Sequence, residues 1–172
     1  MTLNDLQDLI TLASPLFPYS VIGGGAVRDA FLGAPIKDVD LFVDVRSTSA
    51  LEFDVQAERF AKLLGGPLLT HAAGSVTGHL STYHIPRKDL PTVELLPVVR
   101  DVYQDVHDYD FALSQILMTP TGLLYTPAFQ LDVRNLDITY TKKVRQEKSA
   151  SRLVRLRNKY PNYRPKNCEV LL

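Results

Sequence analysis

Cysteine is almost missing from this chain: Cys168 is the only one in 172 residues. A single thiol rules out an intrachain disulfide and a cysteine-based zinc site, and it favours a reducing, cytoplasmic setting. An excess of charge is missing too, because 19 Lys and Arg balance 19 Asp and Glu. No global field therefore draws the chain onto nucleic acid, and any such contact must come from a local patch. No apolar run is long enough to span a bilayer, so no membrane partner is expected. Leu3 to Leu12 is interrupted by Asn4, Asp5, Gln7 and Asp8, so no signal peptide is expected there. There is no internal repeat and no low-complexity tract. His71, His79, His84 and His107 follow no metal-ligand spacing. His79 and His84 fall on a strand that could pass near a site, but surface or core histidine is the expectation for both.

What is present is concentrated near the start. Ser20, Val21 and Ile22 read as the end of a short buried strand. Gly23, Gly24 and Gly25 then allow a sharp turn, with positive φ and close backbone approach expected. A helical pattern follows from Ala26, with Ala26, Val27, Ala30 and Phe31 apolar and Gly33 as its stop. Free amides at such a helix start attract phosphate. Arg28, in the first turn, could add a cation to the same pocket. The dinucleotide-binding fingerprint fits poorly, because Arg28 stands where its third glycine should fall.

Asp38-Val39-Asp40 opens a second strand, expected over Val39 to Val45. Strand side chains alternate, so Asp38 and Asp40 face one way while Val39 and Leu41 point into the core. Two carboxylates this close repel each other unless a cation lies between them. Oxygen ligands suit magnesium, which also binds substrate phosphates. Glu94, between Val93 and Leu95 on a further apolar strand, is an acid that needs a cation or a donor if buried.

The remaining pattern is mixed. Helices are expected at Thr2 to Ala13, Ala50 to Leu64, the start of Asp110 to Ile116, and Gln146 to Tyr160. Strands are expected at Leu68 to Thr70, near Val76 to Ile85, and at Thr92 to Val99, with a turn over Pro86 to Pro91. The Lys and Arg cluster between Lys142 and Arg164, and Pro161 to Leu172 reads as an irregular tail. The length and the 45% hydrophobic content suit one domain over 1–172 with a true core.

At these residues the chain resembles the class II nucleotidyltransferases of the polymerase β superfamily, the bacterial poly(A) polymerases and class II tRNA CCA-adding enzymes. The resemblance rests on Gly23-Gly24-Gly25-Ala26-Val27-Arg28-Asp29, Leu32-Gly33 and Asp38-Val39-Asp40. It extends over roughly residues 20–160. Thr92-Val93-Glu94-Leu95-Leu96-Pro97 is similar to the family strand that presents an acid near the metals. Asp110-Phe111-Ala112-Leu113-Ser114 is similar to a motif that contacts the nucleotide sugar and phosphates. Gly122 to Pro127 resembles the hairpin that follows. Ser151-Arg152-Leu153-Val154-Arg155-Leu156-Arg157 resembles the basic helix that closes the head. Asp108 and Tyr109 stand where the family has paired arginines; Arg152, Arg155 or Lys148 could supply the missing triphosphate contact. No segment here resembles the family's base-selecting motif or its tRNA-gripping body and tail.

The resemblance implies an α+β head domain, a small mixed sheet flanked by helices. It implies transfer of a nucleoside monophosphate from a nucleoside triphosphate to a hydroxyl, with Mg2+ or Mn2+. Asp38, Asp40 and Glu94 would be the catalytic metal ligands. Gly23, Gly24, Gly25, Arg28, Asp110, Arg152 and Arg155 would bind the nucleotide. An RNA 3′ end is the favoured acceptor, because of the basic last helix and the family subclass. A protein or small-molecule acceptor, and nucleotide binding without turnover, remain as alternatives. A homo-oligomer could supply further RNA grip.

Overall fold

The computed structural model describes residues 1–70, 81–141 and 146–172. The expectations for His71, His79, Lys142 and the first part of the strand from Val76 lie outside the described residues. The chain divides into two compact units: Met1–Tyr103 with Leu117–Leu123, and Gln104–Ile116 with Leu124–Leu172.

In the first unit, helix α1 (Leu3–Ala13) starts where Thr2 caps it, through a reciprocal bond with Asp5. Its Leu6, Leu9, Ile10 and Ala13 are buried. Strand β1 (Ser20–Ile22) leads into α2 (Gly24–Phe31), then β2 (Asp38–Asp44) and α3 (Ala50–Leu64). Ser49 caps α3, and Gly65 ends it in the left-handed conformation at φ 71°. Strands β3 (Leu69–Thr70), β4 (Tyr83–Arg87) and β5 (Leu90–Val98) follow. With β6 (Ile116–Thr119) and β7 (Gly122–Tyr125) they form a seven-stranded sheet of order β3-β4-β5-β2-β1-β6-β7. The sheet is mixed: β2 and β5 run parallel, while β1 and β4 pair antiparallel with them. On β2 and β5 every second residue is buried, so Val39, Leu41, Val43, Val93 and Leu95 form the core face. Helix α3 covers that face, with Phe53 stacked on Tyr83 at 6.1 Å and Phe17 wedged against Phe53 and Phe60. The opposite face presents Asp38, Asp40 and Glu94.

In the second unit, the expected helical start at Asp110 is only a single 3-10 turn, Ala112–Ser114. Phe111 is instead bridged to Tyr140, and Gln115 leads into β6, so the chain has no length in which to continue a helix. After β7 comes α4 (Pro127–Asn135), capped by Thr126 with Pro127 in its first turn. Strands β8 (Asp137–Thr139) and β9 (Arg164–Lys166) pair in parallel, and α5 spans Gln146–Lys159. The expected irregular tail is therefore corrected. Tyr140 and Arg164 amides bond across β8 and β9, and Cys168 is buried with its Sγ on the Ile138 and Lys166 carbonyls.

The expected turn over Pro86 to Pro91 is also tighter than the sequence indicated. Arg87 pairs with Leu90, so only Lys88 and Asp89 turn the hairpin, with Asp89 at φ 58°. Pro86 is accommodated inside β4 because the ladder shifts register between Ile85 and Arg87.

Candidate active site

The sheet brings the first two motifs together. Gly23 continues the β1 ladder, its amide donating to the Asp40 carbonyl at 2.8 Å. On the other side of β2, Asp40 lies opposite Glu94 of β5, and Glu94 lies opposite His84 of β4. Gly23, Asp40, Glu94 and His84 thus form one row across four strands, each step about 4.8 Å. Asp38 lies two residues along β2 from Asp40, on the same face.

The glycine segment differs from expectation. None of Gly23, Gly24 or Gly25 has positive φ; Gly23 is extended at φ −78° and the helix starts at Gly24 rather than Ala26. Gly23 completes a sheet hydrogen bond, so its amide is committed to Asp40 rather than to phosphate. What distinguishes α2 is its start. Side chains of the N-cap residues Thr2, Ser49 and Thr126 cap α1, α3 and α4, whereas the N-cap residue of α2 is Gly23, which has no side chain to do so. A methyl group added at Gly25 would meet nothing within 4 Å. The first turn of α2 thus has open space at Gly25, and the positive end of its dipole adjoins the Asp40 row through Gly23.

The carboxylates are electrostatically frustrated. Burial pushes the Asp40 carboxyl up to about 6 from an ordinary 3.8, and the charges of Glu94 and then Asp38 push in the same direction. Asp40 and Glu94 are paired residues on the parallel strands β2 and β5, so their carboxyls share one edge of the sheet face. Asp38 is drawn to Lys37 at 3.7 Å, and Glu94 to His84 Nε2 at 3.8 Å. Among the described residues no three His, Cys, Asp or Glu side chains converge as a ready metal cage. The acids are neighbours on adjacent strands, with Asp38 and Glu94 each beside a different basic side chain, Lys37 and His84.

Arg28 is half-buried, and its guanidinium forks onto Asp29 at 2.7 and 2.8 Å. The other nucleotide-binding candidates belong to the second unit. There Asp110 is brought together with Arg152, whose Nη1 donates to Oδ1 at 2.5 Å, while the Ser149 hydroxyl donates to Oδ2 at 2.6 Å. Arg155 points elsewhere and donates to the Ser151 hydroxyl at 3.0 Å. Two neighbours were not singled out from the sequence as site residues. His84 reaches the row only through the β4–β5 hairpin, whose register is invisible in composition. Ser149 stands three residues before Arg152 on α5, a spacing that places both on one helix face and could have flagged it.

No protein-family model matches the chain, and none of the curated proteins matches it in sequence. Solved structures do match. A CCA-adding enzyme in an apo form superposes with a TM-score of 0.71 at 21% identity, over 96% of this chain and 41% of that one. A CCA-adding enzyme complexed with ATP gives 0.69 at 21%, over 98% and 41%. The Thermotoga maritima CCA-adding enzyme complexed with tRNA gives 0.67 at 20%, over 98% and 40%. The chain thus spans about two fifths of the length of these enzymes. In the five α-helices and mixed seven-stranded sheet of its described residues, it has the α+β fold of the matching part of these CCA-adding enzymes.

Proposed function

We propose that this protein is a metal-dependent nucleotidyltransferase that moves a nucleoside monophosphate from a nucleoside triphosphate to the 3′ hydroxyl of an RNA. The observation that carries the reading is the Asp40–Glu94 pair, with Asp38 beside it, joined through Gly23 to the glycine-lined start of α2. Solved structures of the same fold with CTP, ATP and tRNA support it.

Asp38, Asp40 and Glu94 would hold Mg2+ or Mn2+. Their donor set is all oxygen, and the raised Asp40 carboxyl marks a site where added positive charge removes a penalty. When bound, such ions lower the pKa of an attacking hydroxyl and neutralise charge on the leaving pyrophosphate. First-turn amides of α2 take phosphate oxygens and orient the α-phosphorus for in-line attack. The acceptor oxygen bonds to that phosphorus as the bridge to the β-phosphate breaks, and pyrophosphate leaves. Arg28 is steadied by Asp29 near the same turn and contributes a fixed cation. Within the second unit, Asp110 is held by Ser149 and Arg152, and Asp110, Arg152 and Arg155 are that unit's proposed nucleotide contacts.

We take residues 1–172 to work as a single head, in the cytoplasm, with a second copy of the chain adding RNA grip. No helix among the described residues is long and apolar enough to cross a membrane. Asp38→Ala and Asp40→Ala should each abolish transfer of label from an α-labelled triphosphate to RNA while circular dichroism stays unchanged. Undiminished transfer by both variants refutes the mechanism. A second reading, nucleotide binding without turnover, is favoured by one observation. Arg28 and Arg152 are each paired with an acid of this chain. Binding of Mg2+ and triphosphate with no pyrophosphate released for any acceptor would establish it.

A further inference from the structure

Formal neutrality conceals a separation of charge between the two units. The second carries eleven Lys and Arg against seven Asp and Glu, the first eight against twelve, so +4 on one balances −4 on the other. Within the second unit, a cleft of about 510 Å³ opens between the C-terminal half of α5 and β9. Arg157, Asn158, Pro161, Tyr163 and Arg164 line it. We propose that this cleft binds single-stranded RNA, with a phosphate between Arg157 and Arg164 and a base against Tyr163. The proposal rests on the RNA-acceptor reading above and names a contact surface for it.

Arg157 stands five residues after Arg152, about 140° further round α5, so it leaves the Asp110 side of the helix. It is exposed and has no ion-pair or hydrogen-bond partner among the described residues. Across the cleft, Arg164 donates to Asp137 at 3.1 Å and to the Asn135 carbonyl at 3.2 Å, which fixes its guanidinium. Lys166 shares the same carboxylate at 3.8 Å. Two cations on one acid leave net positive charge at the rim. Tyr163 is half-buried, its amide bonded to the Tyr160 carbonyl at 3.0 Å and its ring 5.6 Å from that of Tyr160. It is a pre-positioned aromatic face, and only an unstacked base can use one. The amide of Asn158 can read a base edge beside it. A duplex offers neither the free base nor the narrow single backbone that this cleft suits.

The test is fluorescence anisotropy of a labelled, unstructured RNA dodecamer with the full chain, over a range of salt. Arg157→Glu should weaken binding at least tenfold at low salt and flatten the salt slope by about 0.7, one phosphate contact on a single strand. Tyr163→Leu should weaken it about fivefold or more, the loss of one stacked base. Both variants should melt as the parent protein does. Parental affinity in both variants, with label transfer to that RNA intact, overturns the cleft and leaves the acceptor reading standing. Absence of RNA binding by the parent protein, with label passing to a protein acceptor, overturns both. Equal competition by a poly-glutamate peptide assigns the cleft to an acidic protein partner and overturns the RNA proposal.

Discussion

Asp40→Asn should make the metal-free protein more stable while ending its activity. The folded carboxyl is raised to about 6 from 3.8, so the native state holds its proton more tightly than the unfolded chain does. The associated stability is whole below pH 3.8 and is lost as pH rises through 6. A shift of about two units at 1.36 kcal/mol each makes the ionised group a penalty of up to about 3 kcal/mol at pH 7.5. The asparagine variant would carry no charge there at any pH and would be spared it. Salt screens the parts due to Asp38 and Glu94, which are 41% and 30% exposed, so the realised gain lies nearer about 1 to 3 kcal/mol. At pH 5 the native carboxyl is already mostly protonated, and the advantage should fall to roughly half. Urea unfolding in EDTA at both pH values measures this directly. A variant no more stable than the parent at pH 7.5, or one whose advantage grows at pH 5, would refute the electrostatic account of the row.

Millimolar Mg2+ should raise the melting temperature at pH 7.5, do so less at pH 5, and have little effect on Asp40→Asn, as differential scanning fluorimetry would show. Gly66→Ala should destabilise by more than about 2 kcal/mol, because the new methyl would lie 2.2 Å from the Pro86 carbonyl oxygen; chemical denaturation checks it. Ser149→Ala should cost about 1–3 kcal/mol by stripping a donor from the buried Asp110 carboxylate; a parental unfolding midpoint would contradict that.

The site's backbone was legible because its signals are local. Alternation in Asp38-Val39-Asp40-Leu41 fixed which face the acids share, and glycines after an apolar run fixed a strand-to-helix junction. That Glu94 would lie beside Asp40 required a parallel pairing across fifty residues, which only the family resemblance supplied. The glycine run misled in detail: three glycines suggested left-handed backbone, yet Gly23 is spent on the sheet ladder and Gly24 and Gly25 enter the helix. Helix α4 carries a start signal in Thr126-Pro127, but the family resemblance assigns Gly122 to Pro127 to a hairpin and implies nothing for the residues just after it. Strand β9 is not legible in the sequence, because Arg164-Pro165-Lys166 has no strand propensity; its pairing with β8 and the burial of Cys168 hold it in place. Partners such as Asp29 for Arg28 and Ser149 for Asp110 depend on rotamers, to which composition is blind.

The central claim is that the acids of β2 and β5, with the glycine-lined start of α2, hold a triphosphate through a divalent ion. Isothermal titration with a non-hydrolysable triphosphate analogue, in Mg2+ and in EDTA, tests it without an acceptor. The account predicts binding at least tenfold tighter in Mg2+, with that difference lost in Asp40→Asn. Equal affinity in both buffers, or an undiminished metal effect in the variant, would contradict it.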